Sequence, residues 1–289
     1  MMKYIITLLF AYLMLSNLTA QNYSADKDFI FSLSGLTAVH VHNHTGQVTI
    51  NGTNAQEGKI TLTRNLKSAS NAALAKAKEI IYLDSMQHEG KLYFFIHSPT
   101  HIFKIDENGR GYYQSPWNNW SGNKQERFDV EAEFNITLEI PKAMDLYAST
   151  HEKDLYISNI SGEVFAKNHH DQVVLTGLRN NLNAHAHHGD IKVEFAANPE
   201  RSIACRTHHG DIKVSMAPGL SADIKMKSHH GSFFTDFDYQ IVATQVSRKE
   251  ENKTGTKYTI GDGTNVRIGQ GGLQMDFRTH HGDVYVTKN

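Results

Sequence analysis

The tetrapeptide His-His-Gly-Asp occurs three times in the chain, at His187–Asp190, His208–Asp211 and His280–Asp283. A fourth copy, His229-His230-Gly231, has Ser232 in place of the acid. Imidazole nitrogens ligate Zn²⁺ and Cu²⁺ at about 2.0–2.1 Å, and a neighbouring carboxylate can orient a ring or supply an oxygen. The pattern nominates His169, His187, His208 and His229, with Asp190 and Asp211, as a metal-binding edge. The competing reading, which the repetition itself favours, is structural: a repeat stacks like on like, and stacked rings pack well at an edge.

The elements that position these residues follow from their spacing. Gly189, Gly210 and Gly231 lie 21 residues apart, and a fixed period near twenty means one structural unit stacked on itself. Nine-residue steps back from Gly189 reach Asn180, Asp171, Gly162 and Lys153. Each is followed, two and four positions on, by Leu182/Ala184, Val173/Leu175, Val164/Ala166 and Leu155/Ile157. That is a short strand with one buried face, then a turn, then another strand. Gly, Asn and Asp tolerate left-handed backbone, so Gly189, Gly210, Gly231 and Gly282 are expected at equivalent corners, at least some with positive φ.

His151, His169 and His187 are 18 apart, whereas Ile160 and Leu178 fall midway. Two different sides therefore alternate. A full coil is 18 residues, growing to 21 where Ala197–Arg201 and Ala217–Ala222 enlarge a corner. Stacked coils lie about 4.8 Å apart, the strand spacing of a sheet. The expected fold is an all-β β-solenoid, with Ile157, Val164, Val173, Leu175, Ile191, Val193, Ile212 and Val214 inward. One histidine column holds His151, His169, His187, His208, His229 and His280. The other holds Glu152, His170, His188, His209, His230 and His281. Strand alternation sends neighbours to opposite faces, so only one column is expected to face solvent.

Residues 1–20 read as a secretory signal: Lys3, the apolar run Tyr4–Leu15, and Leu18-Thr19-Ala20 before Gln21. The apolar run is too short to span a bilayer, and nothing later in the chain is long enough. The expected location is therefore periplasm, cell surface or extracellular space. Cys205 is the single cysteine; it alternates with Ile203 as a core thiol, leaving neither a lipid-anchoring cysteine nor a disulfide framework. Lys and Arg number 29 against 30 Asp and Glu, with no basic stripe. That balance argues against nucleic acid and anionic membrane as partners.

The first coils begin soon after the signal, with Val39/Val41, Gly46 before Val48/Ile50, and Gly58 before Ile60/Leu62. Residues 68–79 are Ala-rich with helical spacing, and Ser68 or Ser70 can cap them. This helix is expected to cover the solenoid, since an open edge strand invites aggregation. Strands at Ile80–Met86 and Leu92–His97 follow. Residues 98–127 are the least regular and hold Phe103, Tyr112, Tyr113, Trp117 and Trp120 among Gly, Asn, Ser and Pro. The alternating run Phe128–Ile140 is then the cleanest strand. Residues 21–145 thus form N-terminal coils and 146–289 the C-terminal repeats of one continuous domain, with a hairpin excursion between Gly231 and Gly282 before the last coil.

Ile140-Pro141-Lys142 with Leu146–Thr150, followed by repeated Gly-acid-apolar-x-apolar units, resembles the bacterial "putative adhesin" family of secreted β-strand-repeat proteins. The ending Ile268–Leu273 through Arg278-Thr279 to Gly282-Asp283-Val284 resembles that family's last coil, and Gly46–Ile50 its opening. The likeness spans about residues 30–288. It implies a structural repeat and an adhesin-like role, carries no catalytic residue, and places histidines where the family more often has Ser, Asn or Val.

Other chemistry is thin. His88-Glu89 and His151-Glu152 begin like a zinc-protease helix, but Leu92 and Leu155 stand where the second ligand belongs. There is no Gly-x-Ser-x-Gly elbow. Tyr112, Tyr113, Trp117 and Trp120, with Asn118 and Asn119, form a candidate glycan contact by stacking on sugar faces; the alternative is that these rings fold back over the solenoid side. The expected function is a non-enzymatic exported protein making envelope or extracellular contacts with protein or glycan. It needs no cofactor, and Zn or Cu on the histidine edge is the alternative.

Overall fold

The computed structural model describes residues 20–114, 129–242, 246–252, 255–260 and 263–289. Two long sheets of ten and eleven strands face each other, and the chain passes from one to the other at successive corners. In one sheet Leu146 pairs with Val164, Val164 with Leu182, and Leu182 with Ile203, all parallel. In the other, Leu155 pairs with Val173, Val173 with Ile191, and Ile191 with Ile212. The architecture is a nearly all-β, solenoid-like repeat.

Alternating apolar residues point between the sheets because only that face is shielded from water on both sides. Ile157, Val164, Val173, Leu175, Ile191, Val193, Ile212 and Val214 are all buried there, as expected. Cys205 lies among them, fully buried, and burial pushes its thiol pKa up.

The stack does not follow sequence order at either end. Strand Ala38–His42 pairs with Asp145–Ser149, and Val48–Thr53 with Leu155–Ser158. Residues 54–144 are thereby an insertion that closes the N-terminal end. Its strands Glu57–Ser68 and Tyr82–His88 pair antiparallel with Glu131–Pro141 and Lys91–His97, ending the parallel ladders. The other end holds a correction to the sequence reading. The C-terminal strands Leu273–Arg278 and Val284–Lys288 do not form the last coil. They sit between Ser202–Arg206/Ile212–Met216 on one side and Ala222–Lys227/Phe233–Thr235 on the other. Strand Thr264–Ile268 then runs antiparallel to Ala222–Lys227 and to Tyr239–Val242. Antiparallel pairing closes both ends of the eleven-stranded sheet and the N-terminal end of the ten-stranded one, whose other end is the three-residue strand Phe233–Thr235, short as exposed edge strands commonly are.

The helix spans Asn71–Ile80, a shift of a few residues from expectation, with Leu74 and Ala77 buried. Ser70 is its N-cap, accepting from the Ala73 N–H at 3.2 Å. Ser68 instead donates to the Asp129 carbonyl at 2.8 Å. At the other end Arg64 donates to the carbonyls of Lys78 and Ile81 at 3.1 and 2.8 Å, satisfying groups the last turn leaves open.

Candidate functional site: the histidine edge

At one edge, each coil turns from the first sheet into the second through a short bent segment. At five of these corners the residue that starts it is small, polar and buried: Asn43, Thr150, Asn168, Thr207 and Thr279 are each at most 7% exposed, whereas Ala186 and Ser228 stand there in two others. The buried polar side chains donate to corner carbonyls, Asn168 to Lys153 at 2.9 Å, Thr207 to Gly189 at 3.0 Å and Thr279 to Gly210 at 3.2 Å. Donors of this kind satisfy carbonyls that the bend removes from both sheets. Backbone bonds hold successive corners in register, with the N–H of His170 on the carbonyl of His151, and that of His188 on His169, both at 3.0 Å.

The glycine that follows is there mainly for close approach. A Cβ at Gly189 would lie 2.2 Å from the Asp171 carbonyl oxygen, and one at Gly282 would lie 2.0 Å from that of Gly210. Positive φ is the lesser reason: of Gly189, Gly210, Gly231 and Gly282 only Gly210 has it, at 152°, and Gly46 in the first corner joins it at 117°.

The two residues before the glycine are the histidines, and both columns lie on the same edge. This corrects the expectation that only one faces solvent: the bent corner does not alternate as a strand does. The first column runs His44, His151, His169, His187, His208, His280, His229, with ring centroids 4.6–5.2 Å apart. Its middle pairs are nearly parallel, His151 on His169 at 3° and His169 on His187 at 4°. The second column runs His170, His188, His209, His281, His230 at 4.8–5.5 Å. Rings of the two columns meet edge to face, His187 and His188 at 4.2 Å and 79°. The arrangement is a herringbone of imidazoles along the length of the stack.

The sequence reading missed His44, the first ring of its column. Its signal was present, since His44 stands two residues before Gly46 as His187 does before Gly189. It also set His208 beside His229, whereas His280 lies between them.

Asp190 and Asp211 have another occupation. Asp190 accepts the N–H of Asp211 at 2.9 Å, Asp211 that of Asp283 at 3.0 Å, and Asp283 that of Ser232 at 2.8 Å. Lys213 also reaches Asp211 at 3.0 Å and Asp190 at 3.8 Å. Each carboxylate therefore pins the next coil instead of a ring.

Partial burial and the neighbouring imidazoles lower the pKa values of His169, His187, His209 and His280. His151 is lowered by burial and His170, with Glu152 opposing. His44 falls to about 4 through burial, His101 and His151. For these six rings the shifts favour the neutral form. Nδ1 of His151, His169, His187 and His280 is buried without a hydrogen-bond partner.

The aromatic segment is divided. Tyr113 faces inward: its hydroxyl accepts from the Ile96 N–H at 2.7 Å and donates to the His42 carbonyl at 2.8 Å. Phe103 stacks on Phe95 at 4.3 Å. Tyr112 is exposed. Trp117 and Trp120 lie outside the described residues, as do residues 1–19 of the expected signal. Among the described residues no helix is long and apolar enough to cross a membrane.

A nearly all-β stack of strand pairs, bent at repeated Gly corners, is a repeat architecture. The chain belongs to the family described as Toastrack DUF4097, whose sequence profile matches residues 4–287. No curated protein matches it. Among solved structures it is similar to a "putative cell adhesion protein" from Clostridium sporogenes ATCC 15579, at 10% identity and a TM-score of 0.46, over 92% of this chain and 100% of that one. A "putative adhesin" from Bacteroides fragilis NCTC 9343 is similar at 9% identity and a TM-score of 0.35, over 91% and 97%. A "putative lipid binding protein" from Parabacteroides distasonis ATCC 8503 follows at 9% and 0.30, over 92% and 96%.

Proposed function

We propose that this is an exported, non-catalytic, adhesin-like protein of the cell surface or envelope that makes its contacts through its repeat surface, with the histidine edge as the working face. The observation that carries the reading is the herringbone itself. A family fold that needs only a small residue before each corner glycine here places two imidazoles there, coil after coil. The second column is not required for the corner, because Glu152 and Thr45 occupy its positions in two coils. Side chains dispensable for folding and repeated along one exposed line support a role in recognition. The partner fits as an envelope or extracellular protein or glycan that presents its own repeated groups.

The test replaces His170, His188, His209, His230 and His281 by Ser, the residue that already follows Gly231 at this corner. The variant is expressed with the native N-terminus, and its retention in the washed cell-envelope fraction is compared with the parent. Loss of retention with unchanged folding supports the edge as the contact face. Equal retention, or recovery of both proteins only in the cytosol, overturns the reading.

A further inference from the structure

The herringbone is not uniform, and its irregularity marks one place for a ligand. In the second column the position beside His151 is Glu152, one coil before His170 begins the imidazole series. His151, His169 and His170 each bring one ligating nitrogen within 4.8 Å of the others, and they are the one such group of three among the described residues. The ring of His170 stands nearly perpendicular to both His151 and His169, at 74° and 72°, with centroids 4.8 and 4.4 Å away.

The edge-to-face arrangement recurs along the edge, as where His188 stands at 76° to His169 and 79° to His187, and the mutual approach of the three nitrogens is what separates this site from the rest. Parallel stacked rings direct their in-plane lone pairs side by side, so two members of one column do not converge on a point. A third ring at right angles supplies a lone pair from another direction. A carboxylate is also at hand, since Glu152 Oε1 lies 4.0 Å from His151 Nδ1. That Nδ1 and the Nδ1 of His169 are buried without a partner, a situation that native proteins ordinarily resolve with a ligand or water.

We propose that His151, His169 and His170, with Glu152 as the fourth ligand, bind one divalent transition-metal ion of the imidazole-preferring class, Zn²⁺ or Cu²⁺. Three nitrogens and one oxygen match a closed tetrahedral zinc set. Metal–nitrogen bonds of about 2.0–2.1 Å place tetrahedral nitrogens about 3.3–3.4 Å apart, so the rings must close by roughly 1.4 Å. His170 is exposed and Glu152 half-buried, so both can rotate toward the metal, while His151 and His169, stacked 4.6 Å apart, must tilt their rings toward one another about χ2. Asp190 and Asp211 are not ligands in this scheme, being held by the backbone of the next coil. The proposal deepens the reading of the edge as the working face by making one end of it metal-dependent.

The experiment titrates tag-free, chelator-stripped protein with ZnCl₂ by calorimetry in a non-coordinating buffer, and with CoCl₂ by visible absorption. The expected result is one tight site with the intense visible bands of tetrahedral Co²⁺. His170→Ser should weaken that site at least ~10-fold, and Glu152→Gln by a similar factor with the nitrogen ligands retained. His281→Ser, in a distant coil, should leave it unchanged, and circular dichroism of all variants checks folding. Absence of a saturable site in the parent protein overturns the proposal, as does equal weakening by His170→Ser and His281→Ser. Envelope retention is measured separately: retention without metal binding sinks this inference alone, and metal binding without retention sinks the contact reading alone.

Discussion

His40 and His42 make the fold acid-sensitive in a way that can be worked out. They alternate with Val39 and Val41, so they lie on the outer face of their sheet. Yet they are only 6% and 2% exposed, because residues 102–114 fold over them. His40 stacks on Tyr147 at 5.0 Å and lies tilted against Tyr93 at 4.4 Å, and His42 meets Phe103 and Tyr147 at 5.0 and 5.1 Å. The charged group acting on His40 is Lys91, and the one acting on His42 is His40; no carboxylate contributes. Burial first, then Lys91, lowers the pKa of His40 from 6.5 to about 4; burial, then His40, lowers that of His42 to about 3. The unfolded chain therefore binds protons that the folded chain refuses between pH 6.5 and the folded values. Stability is complete above the unfolded pKa and is lost as pH falls through this window. At pH 5 each histidine costs about 2 kcal/mol, so the pair removes about 4 kcal/mol relative to pH 7.5. That is a large share of a typical 5–15 kcal/mol. Urea unfolding at pH 7.5 and 5.0 measures it, with the double variant His40→Phe/His42→Leu as comparison. Phe retains the ring stack at position 40. Leu is chosen at 42 because a Cβ on Gly111 would lie 2.5 Å from His42 Nε2, leaving no room for a longer ring. Both proteins share the histidine edge, so its contribution cancels in the difference. If the double variant loses as much stability on acidification as the parent, the buried pair is not the cause.

Ile191→Ala and Ile212→Ala each leave a cavity between the sheets and should cost about 2–4 kcal/mol in urea unfolding at neutral pH; a cost below 1 kcal/mol in both would contradict their placement. Gly219→Ala meets nothing within 4 Å but has a φ of 79°, and should cost about 1–2 kcal/mol. Gly282→Ala must displace a carbonyl 2.0 Å away and should cost about 3 kcal/mol or more; the reverse order would refute close approach as the corner's requirement. Deleting residues 273–289 should strip hydrogen-exchange protection from Ala222–Lys227 and Thr264–Ile268, whereas deleting 222–289 should leave strands 146–216 protected. Protection of 222–227 in the shorter deletion would show that its parallel partner is dispensable.

The period of the repeat was readable because one physical demand recurs at every coil: alternating apolar residues between two sheets, and a corner residue without a bulky Cβ. Ile191 and Ile212, or Gly189 and Gly210, announce it by composition alone. The histidine geometry was only half legible. Alternation is a property of extended strands, and the corner between Thr207 and Gly210 is not extended, so His208 and His209 emerge on one side. The purpose of Asp190 was hidden for a different reason. Its partner is a backbone N–H one coil away, and backbone donors leave no mark in the sequence. His44 was overlooked because a cap of some ninety residues separates its coil from the one at His151 on which it stacks.

The one motif copy that lacks its acid ties these observations together. In sequence, His229-His230-Gly231-Ser232 is third of four, and the loss of aspartate there has no evident cause. In the stack it is the outermost corner, because the chain's last strands slip beneath it. Asp190, Asp211 and Asp283 each accept the N–H of the coil above, in that order, and Ser232 donates to Asp283. An aspartate at 232 would have no further corner N–H to receive and would sit unpaired at the rim, so a neutral residue suffices. The order of the stack was therefore written in the chain as the position of the missing carboxylate. The same order decides the ring column: His280 is the link between His208 and His229, and the edge is continuous only once the end of the chain has been inserted.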